Sequence, residues 1–316
     1  MVQFMLTNQS VKRFSAVWSP LFFFALAQTS AVFAQDALST NQDSALYRGE
    51  ELMLAGSYAA ASEIFRQADG LDRIDGLIGA SRALVMIGNY LEAENLVAEA
   101  IEDGAYADYP LLTTQLAEIE RMTGQSRAAL EILQQAIEGN AEPPVRSLVQ
   151  YGSLLKFTGQ QGQWQQVLDR VVQRYNAGLV FSSEDVAMVA LASWLMGNFQ
   201  DANSLFDEAT RANPNNLEAH TLWADLFLEK YNAADAERSY QDALDVNARY
   251  VPALVGIAQV VGDERSLLRA LAINPNSVQA LETYAQLLMI NGREQEAEEY
   301  FDKVLELNPE SLKTLS

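Results

Sequence analysis

The sequence predicts an all-α fold, a solenoid of about eight antiparallel helix hairpins, and three observations carry that prediction. A glycine followed by a polar residue and often an aromatic recurs at Gly56-Ser57-Tyr58, Gly88-Asn89-Tyr90, Gly162-Gln163-Trp164 and Gly197-Asn198-Phe199, with weaker copies at Gly124-Gln125-Ser126 and Gly292-Arg293-Glu294. These glycines are 32, 36, 38 and 35 residues apart, then 95 across two altered units. Apolar residues fall at helical spacing on both sides of each glycine, as two amphipathic helices joined by a turn require. Small and bulky residues also hold fixed places. Five after each glycine stand Ala61, Ala93, Ala129, Val167, Ala202 and Ala297, and four further on Phe65, Val97, Leu133, Val171, Phe206 and Phe301. Seven before stand Gly49, Ser81, Ala117, Ala190 and Ala285; in the fourth unit the small residue, Gly152, lies ten before Gly162.

Each position has a physical reason. The glycine supplies the left-handed backbone that ends the first helix. Small residues on facing sides let two helix axes approach, and the bulky residue fills the adjoining space. A lone hairpin cannot hide its apolar face, so hairpins stack. Asn-Pro closes three units, at Pro214, Pro275 and Pro309, where proline stops the second helix.

The chain has 316 residues, 49% of them hydrophobic, enough for a core. Residues Met1 to Ala34 read as a secretory signal peptide: Lys12 and Arg13, an uncharged stretch from Phe14 richest at Leu21 to Ala27, and small residues around a cut after Ala34. Pro20 and Gln28-Thr29-Ser30 weigh against a retained membrane anchor, and no other segment is apolar enough to span a bilayer. The expected organisation is a leader over 1–34, a linker over 35–41, repeats over 42–309 and the start of an incomplete further repeat over 310–316. Units start near Gln42, Ile74, Pro110, Val145, Ser183, Leu217, Val251 and Val278. The fourth carries a three-residue insertion around Gln160-Gln161, the sixth has Tyr231-Asn232 where glycine is expected, and the seventh is seven residues short. A polar capping helix is expected after the eighth unit and the sequence has none, which reads as part of something longer or an end covered by a partner.

This pattern resembles the tetratricopeptide repeat family, whose period is 34 residues. Phe206 to Tyr240, Ala209 to Ala243, Asn213 to Asn247 and Pro275 to Pro309 are each 34 apart. The resemblance covers about Gln42 to Pro309 and implies a right-handed α-solenoid whose first helices line a concave inner face. On that face it places Arg82, Met86, Arg121, Met122, Arg146, Lys156, Phe157 and Trp194, beside Glu118, Leu191 and Glu218. The basic members would hold a partner with acidic residues or a free C-terminus, and the apolar ones would seat its side chains. The paired Lys and Asn of the family's chaperone-binding members are absent, so that carboxylate clamp does not carry over.

Composition excludes other classes. Asp+Glu number 42 against 21 Lys+Arg, a net charge of -21 that repels nucleic acid. There is no Cys and a single His, His220, which leaves no disulfide, thiolate nucleophile or multi-histidine metal site, and no cofactor is expected. Ser153-Leu154-Leu155-Lys156 matches a serine-lysine enzyme signature without its partner motifs, inside a helix. Asp69, Asp72 and Asp75 lack the spacing of a calcium loop and read as a polar connector. Trp164, Trp194 and Trp223 read as packing residues.

The sequence therefore predicts a non-catalytic interaction scaffold of the periplasm, binding a protein or extended peptide on its concave face. The alternative expectation is the N-terminal repeat arm of a longer envelope protein, a metallopeptidase-like or polysaccharide-exporting one. Partner identity and oligomeric state are not written in these motifs.

Overall fold

The computed structural model describes residues 44–103, 109–160 and 162–311. The expected leader and linker and the last five residues lie outside them. Among the described residues sixteen α-helices pair into eight hairpins: α1 (Ala45–Leu54) with α2 (Tyr58–Phe65), α3 (Arg73–Met86) with α4 (Tyr90–Glu102), α5 (Pro110–Met122) with α6 (Ser126–Glu138), and α7 (Val145–Phe157) with α8 (Gln163–Asn176). Then follow α9 (Ser183–Leu195) with α10 (Phe199–Ala212), α11 (Leu217–Glu229) with α12 (Ala233–Val246), α13 (Val251–Val261) with α14 (Glu264–Ile273), and α15 (Val278–Ile290) with α16 (Glu294–Leu307). The chain is an all-α solenoid of hairpins.

The central odd-numbered helices pack on their own partners and on their neighbours; α9 is apolar on several sides and buries eight residues, whereas the outer α8 buries only Leu168 and Val171. The close approach depends on small residues. Phe65 lies between Gly49 and Gly79, and a Cβ on either would collide with its ring. Helix starts are held by side-chain caps at Ser182, Asn216, Asn232, Asp263 and Ser277, and Pro252 stands in the first turn of α13.

Two irregular units resolve on backbone geometry. In the fourth, Gly159 takes the left-handed turn (φ +75°) and so stands seven after Gly152, the regular spacing; the insertion falls between it and Gly162. The register of α8 moves accordingly, and fully buried Leu168 packs closest onto Gly152, with Val167 beside it. In the sixth, Tyr231 itself adopts the left-handed conformation (φ 58°) with its side chain in solvent.

The solenoid winds far enough to meet itself. Each of the connectors after α12, α14 and α16 begins with an Asn whose Oδ1 accepts the N–H two residues on, from Arg249 (2.9 Å), Asn276 (3.0 Å) and Glu310 (3.0 Å). That local turn leaves the amide Nδ2 pointing outward. Asn247 Nδ2 donates to the Met53 carbonyl at 2.8 Å, Asn274 Nδ2 to Val85 at 3.1 Å, and Asn308 Nδ2 to Met122 at 3.4 Å. The three connectors thus dock in order on the hairpin turns of the first three units, 186 to 194 residues earlier. Tyr58 and Tyr90 complete the register: their hydroxyls donate to the carbonyls of Arg249 and Asn276, both at 3.2 Å. Arg249 Nε and Asn276 Nδ2 answer with bonds to the carbonyls of Gly56 and Gly88, at 3.0 and 2.9 Å.

Candidate functional site

The second turn of the coil sits on the first, and the inner face lies between them. It holds a cavity of ≈ 570 Å³ lined by α5, α7, α9, α11, α15 and the connector after α16. A second cavity of ≈ 390 Å³ adjoins it, lined by α3, α5, α13 and α15. Arg121, Val278, Glu282 and Asn308 line both.

The floor of the larger cavity is an ion pair across the coil. Arg146, at the start of α7, donates Nη1 and Nη2 to the two carboxylate oxygens of Glu218, at the start of α11, at 3.0 and 2.5 Å. This fork geometry is what a guanidinium makes best. Burial raises the Glu218 pKa, but Arg146 overcomes it and holds the carboxyl below its ordinary range; Arg82 contributes more weakly. Glu218 in turn raises the Arg146 pKa. Beyond them, burial pushes the Tyr250 hydroxyl upward. Glu118 accepts from Gln150 Nε2 at 3.1 Å, and Glu282 bonds Ser311. The apolar wall is Val149, Leu154, Met188, Leu191 and Leu222, with Phe157 56% exposed.

The eight expected inner-face residues divide. Arg121, Arg146 and Phe157 line the larger cavity; Met86 and Met122 join Arg121 in the smaller. Arg82, Lys156 and Trp194 line neither of these two cavities. Two of the four basic groups are engaged by the chain itself: Arg146 by Glu218, and Lys156, whose Nζ donates to the Leu195 carbonyl at 2.5 Å and lies 4.8 Å from the centre of the Trp164 ring. Trp194 Nε1 donates to Glu229 at 2.7 Å. Ser153 Oγ donates to the Val149 carbonyl at 2.7 Å, a helix back-bond that leaves the serine-lysine pattern no nucleophile geometry.

Sequence reasoning missed the second-turn residues of the lining, Val278, Glu282, Asn308 and Glu310, because which unit faces which depends on the pitch of the coil. One signal was present. The aromatic two after the turn glycine is Tyr at Tyr58 and Tyr90, whose hydroxyls meet a connector, and Phe199 in the fifth unit.

This geometry, helix hairpins stacked unit on unit into a coil, defines an α-solenoid repeat protein. Residues 190–253 and 278–311 match models of the tetratricopeptide repeat. Among solved structures the chain is similar to one from the Cut9-Hcn1 hetero-tetramer of the APC/C, at a TM-score of 0.54 and 11% identity over 90% of this chain. This chain spans 57% of that chain's length, and the likeness is one of fold. A thermophilic TPR protein of Thermus thermophilus aligns with 54% of this chain and 95% of its own at 20% identity and a TM-score of 0.45. No curated protein matches.

Proposed function

We propose that this chain is a non-catalytic scaffold of the periplasm or the secreted space that holds a segment of a partner protein inside its axial channel. The observation that carries the reading is the pair of adjoining cavities, with half-exposed apolar side chains and Arg121 on the wall between them. Such a surface binds by burial and charge without chemistry. Among the described residues no group of three or more His, Asp or Glu could hold a metal ion, and no helix is long and apolar enough to cross a membrane. Export is supported by the basic, apolar and small-residue order of Met1 to Ala34.

The test is affinity capture from envelope extract with the full chain, beside Arg121→Glu and Phe157→Ala variants shown by circular dichroism to be folded. A partner recovered by the parent and lost with both variants supports the reading. Equal recovery by all three contradicts it. Intact mass of the exported protein tests the leader: a chain beginning at Gln35 is expected, and a full-length mass overturns export by cleavage.

A further inference from the structure

We infer that the chain associates with further copies of itself, rim on rim, so that a second copy continues the coil. The coil already makes this contact within one chain. The connectors after α12, α14 and α16 sit on the turns of the first, second and third hairpins, each reaching five hairpins back. Of the eight described hairpins this leaves the turns of the last five, and the connectors after the first five, without that contact.

The docked and undocked turns differ in what covers them. A Cβ on Gly56, Gly88 or Gly124 would strike a docked connector, at Arg249, Asn274 or Asn308 respectively. On Gly159, Gly197, Gly262 or Gly292 it would meet none of the described residues within 4 Å. The open turns after α13 and α15 hold apolar side chains in solvent: Val261 is 52% exposed, Met289 47% and Ile290 82%. The undocked connector after α8 does the same, with Leu179 60% exposed and Phe181 81%. Apolar exposure on two rims that fit each other elsewhere in the same coil marks both as contact surface.

One undocked connector also carries the docking motif. After α10, Asn213 Oδ1 accepts the Asn215 N–H at 3.0 Å, the turn made at Asn247, Asn274 and Asn308. Its Nδ2 donates to Glu184 at 3.2 Å, where the other three reach a turn carbonyl. The matching acceptor on an open turn is the Met289 carbonyl, which takes the Gly292 N–H at 3.0 Å as Met53 takes that of Gly56 and Val85 that of Gly88.

Carrying the five-hairpin offset into a second copy fixes the register. The connector after α10 of one copy meets the turn after α15 of the other, and the connector after α8 meets the turn after α13. Pro214 then stands against Ile290, and Leu179 and Phe181 against Val261. Different surfaces of the two copies meet, so the contact is heterologous and each end stays free for another copy. The net charge of -21 on each copy opposes it, a repulsion that salt screens. None of Leu179, Phe181, Val261 and Ile290 lines either cavity, so the contact stands or falls apart from what the cavities bind.

The experiment is sedimentation equilibrium on the full chain, from micromolar to millimolar concentration, at low and moderate salt. The mass is expected to rise with concentration from one chain toward two and beyond, and to rise further with salt. Val261→Ser with Ile290→Ser spoils the turn rim, and Leu179→Ser with Phe181→Ser the connector rim. Each pair should weaken association at least about tenfold, because apolar area at the contact is lost while net charge is unchanged. All four side chains are exposed, so circular dichroism of both variants should match the parent. Mixed in equal amounts, the two variants keep one intact rim each, of opposite kind, and should form a dimer that grows no further. A single-chain mass at every concentration and salt overturns the inference. So does association that either variant leaves unchanged, or a mixture that stays monomeric or grows past the dimer.

Discussion

Asn247 and Tyr58 stand 189 residues apart in the chain, yet the Asn247 amide donates to the Tyr58 hydroxyl at 3.0 Å. Asn274 and Tyr90 repeat the relationship one unit later. Together they fasten the second turn of the coil to the first. Asn247 is buried, and the Met53 carbonyl and the Tyr58 hydroxyl both use its Nδ2. Asn247→Ala should cost about 1–3 kcal/mol, the penalty for stranding buried polar groups, measured by urea unfolding. An unchanged midpoint would mean that the contact carries no stability.

The same contact has an alkaline signature. Burial pushes the Tyr58 hydroxyl up to about 12, partly offset by the Asn247 hydrogen bond. A group whose folded pKa is raised contributes stability that is complete below its unfolded value, 10.0, and is lost as pH rises toward the folded value. Tyr58→Phe should therefore flatten part of the stability loss between pH 10 and 12. Unaltered alkaline slopes would contradict the burial of this hydroxyl.

Glu218 gives the acid counterpart. Its folded pKa lies below the ordinary 4.5 because Arg146 outweighs its burial, so its contribution is present above 4.5 and is lost as pH falls through the folded value. The pair is partly shielded, with side chains 26% and 33% exposed, which places it between surface and buried ion pairs. Glu218→Gln should cost about 1–2 kcal/mol at neutral pH and progressively less below pH 4.5. A cost independent of pH would show that charge is not the source.

Tyr231 occupies a conformation that its unit needs and its side chain resists. Its φ is 58°, and it is 97% exposed, so the ring contributes little in exchange. Tyr231→Gly should stabilise the protein by about 1 kcal/mol, the cost of a left-handed residue with a Cβ. A destabilised variant would show that the tyrosine does something in the folded chain beyond making the turn.

Gly256 tests the packing between successive units. A Cβ there would overlap the Tyr240 ring, whose hydroxyl is bonded to Asp225 and so is not free to swing away. Gly256→Ala should destabilise by about 1–3 kcal/mol despite alanine's better helix propensity, seen as a lower thermal midpoint. A gain in stability would mean that the two helices can separate without loss.

The hairpins were legible because their determinants are local. Ala61, Ala93 and Ala202 are fully buried where two helices meet, and the turn glycines Gly56, Gly88 and Gly197 have positive φ, as the repeat spacing implies. Of the residues expected on the inner face, Arg121, Met86 and Met122 line a common cavity. What was not legible depends on the small rotation from each hairpin to the next, which accumulates over many units. Spacing along one unit cannot say that Asn308 reaches Met122, or that Arg146 faces Glu218 two units on. It also misplaced the turn of the fourth unit at Gly162, because two glycines three apart both carry positive φ and only the packing of Gly152 against Leu168 separates them.

The coil closes back on its own first three units, and one distance reads that closure. The chain has no native cysteine, so spin labels can be placed at Asn89→Cys, on the turn between α3 and α4, and Pro275→Cys, in the connector that docks there. Pulsed electron paramagnetic resonance should give one short, narrow distance distribution in the native protein, broadening when Asn274→Ala is added. A long or broad distribution in the otherwise native chain would show an open ribbon without an enclosed channel, and would contradict the account.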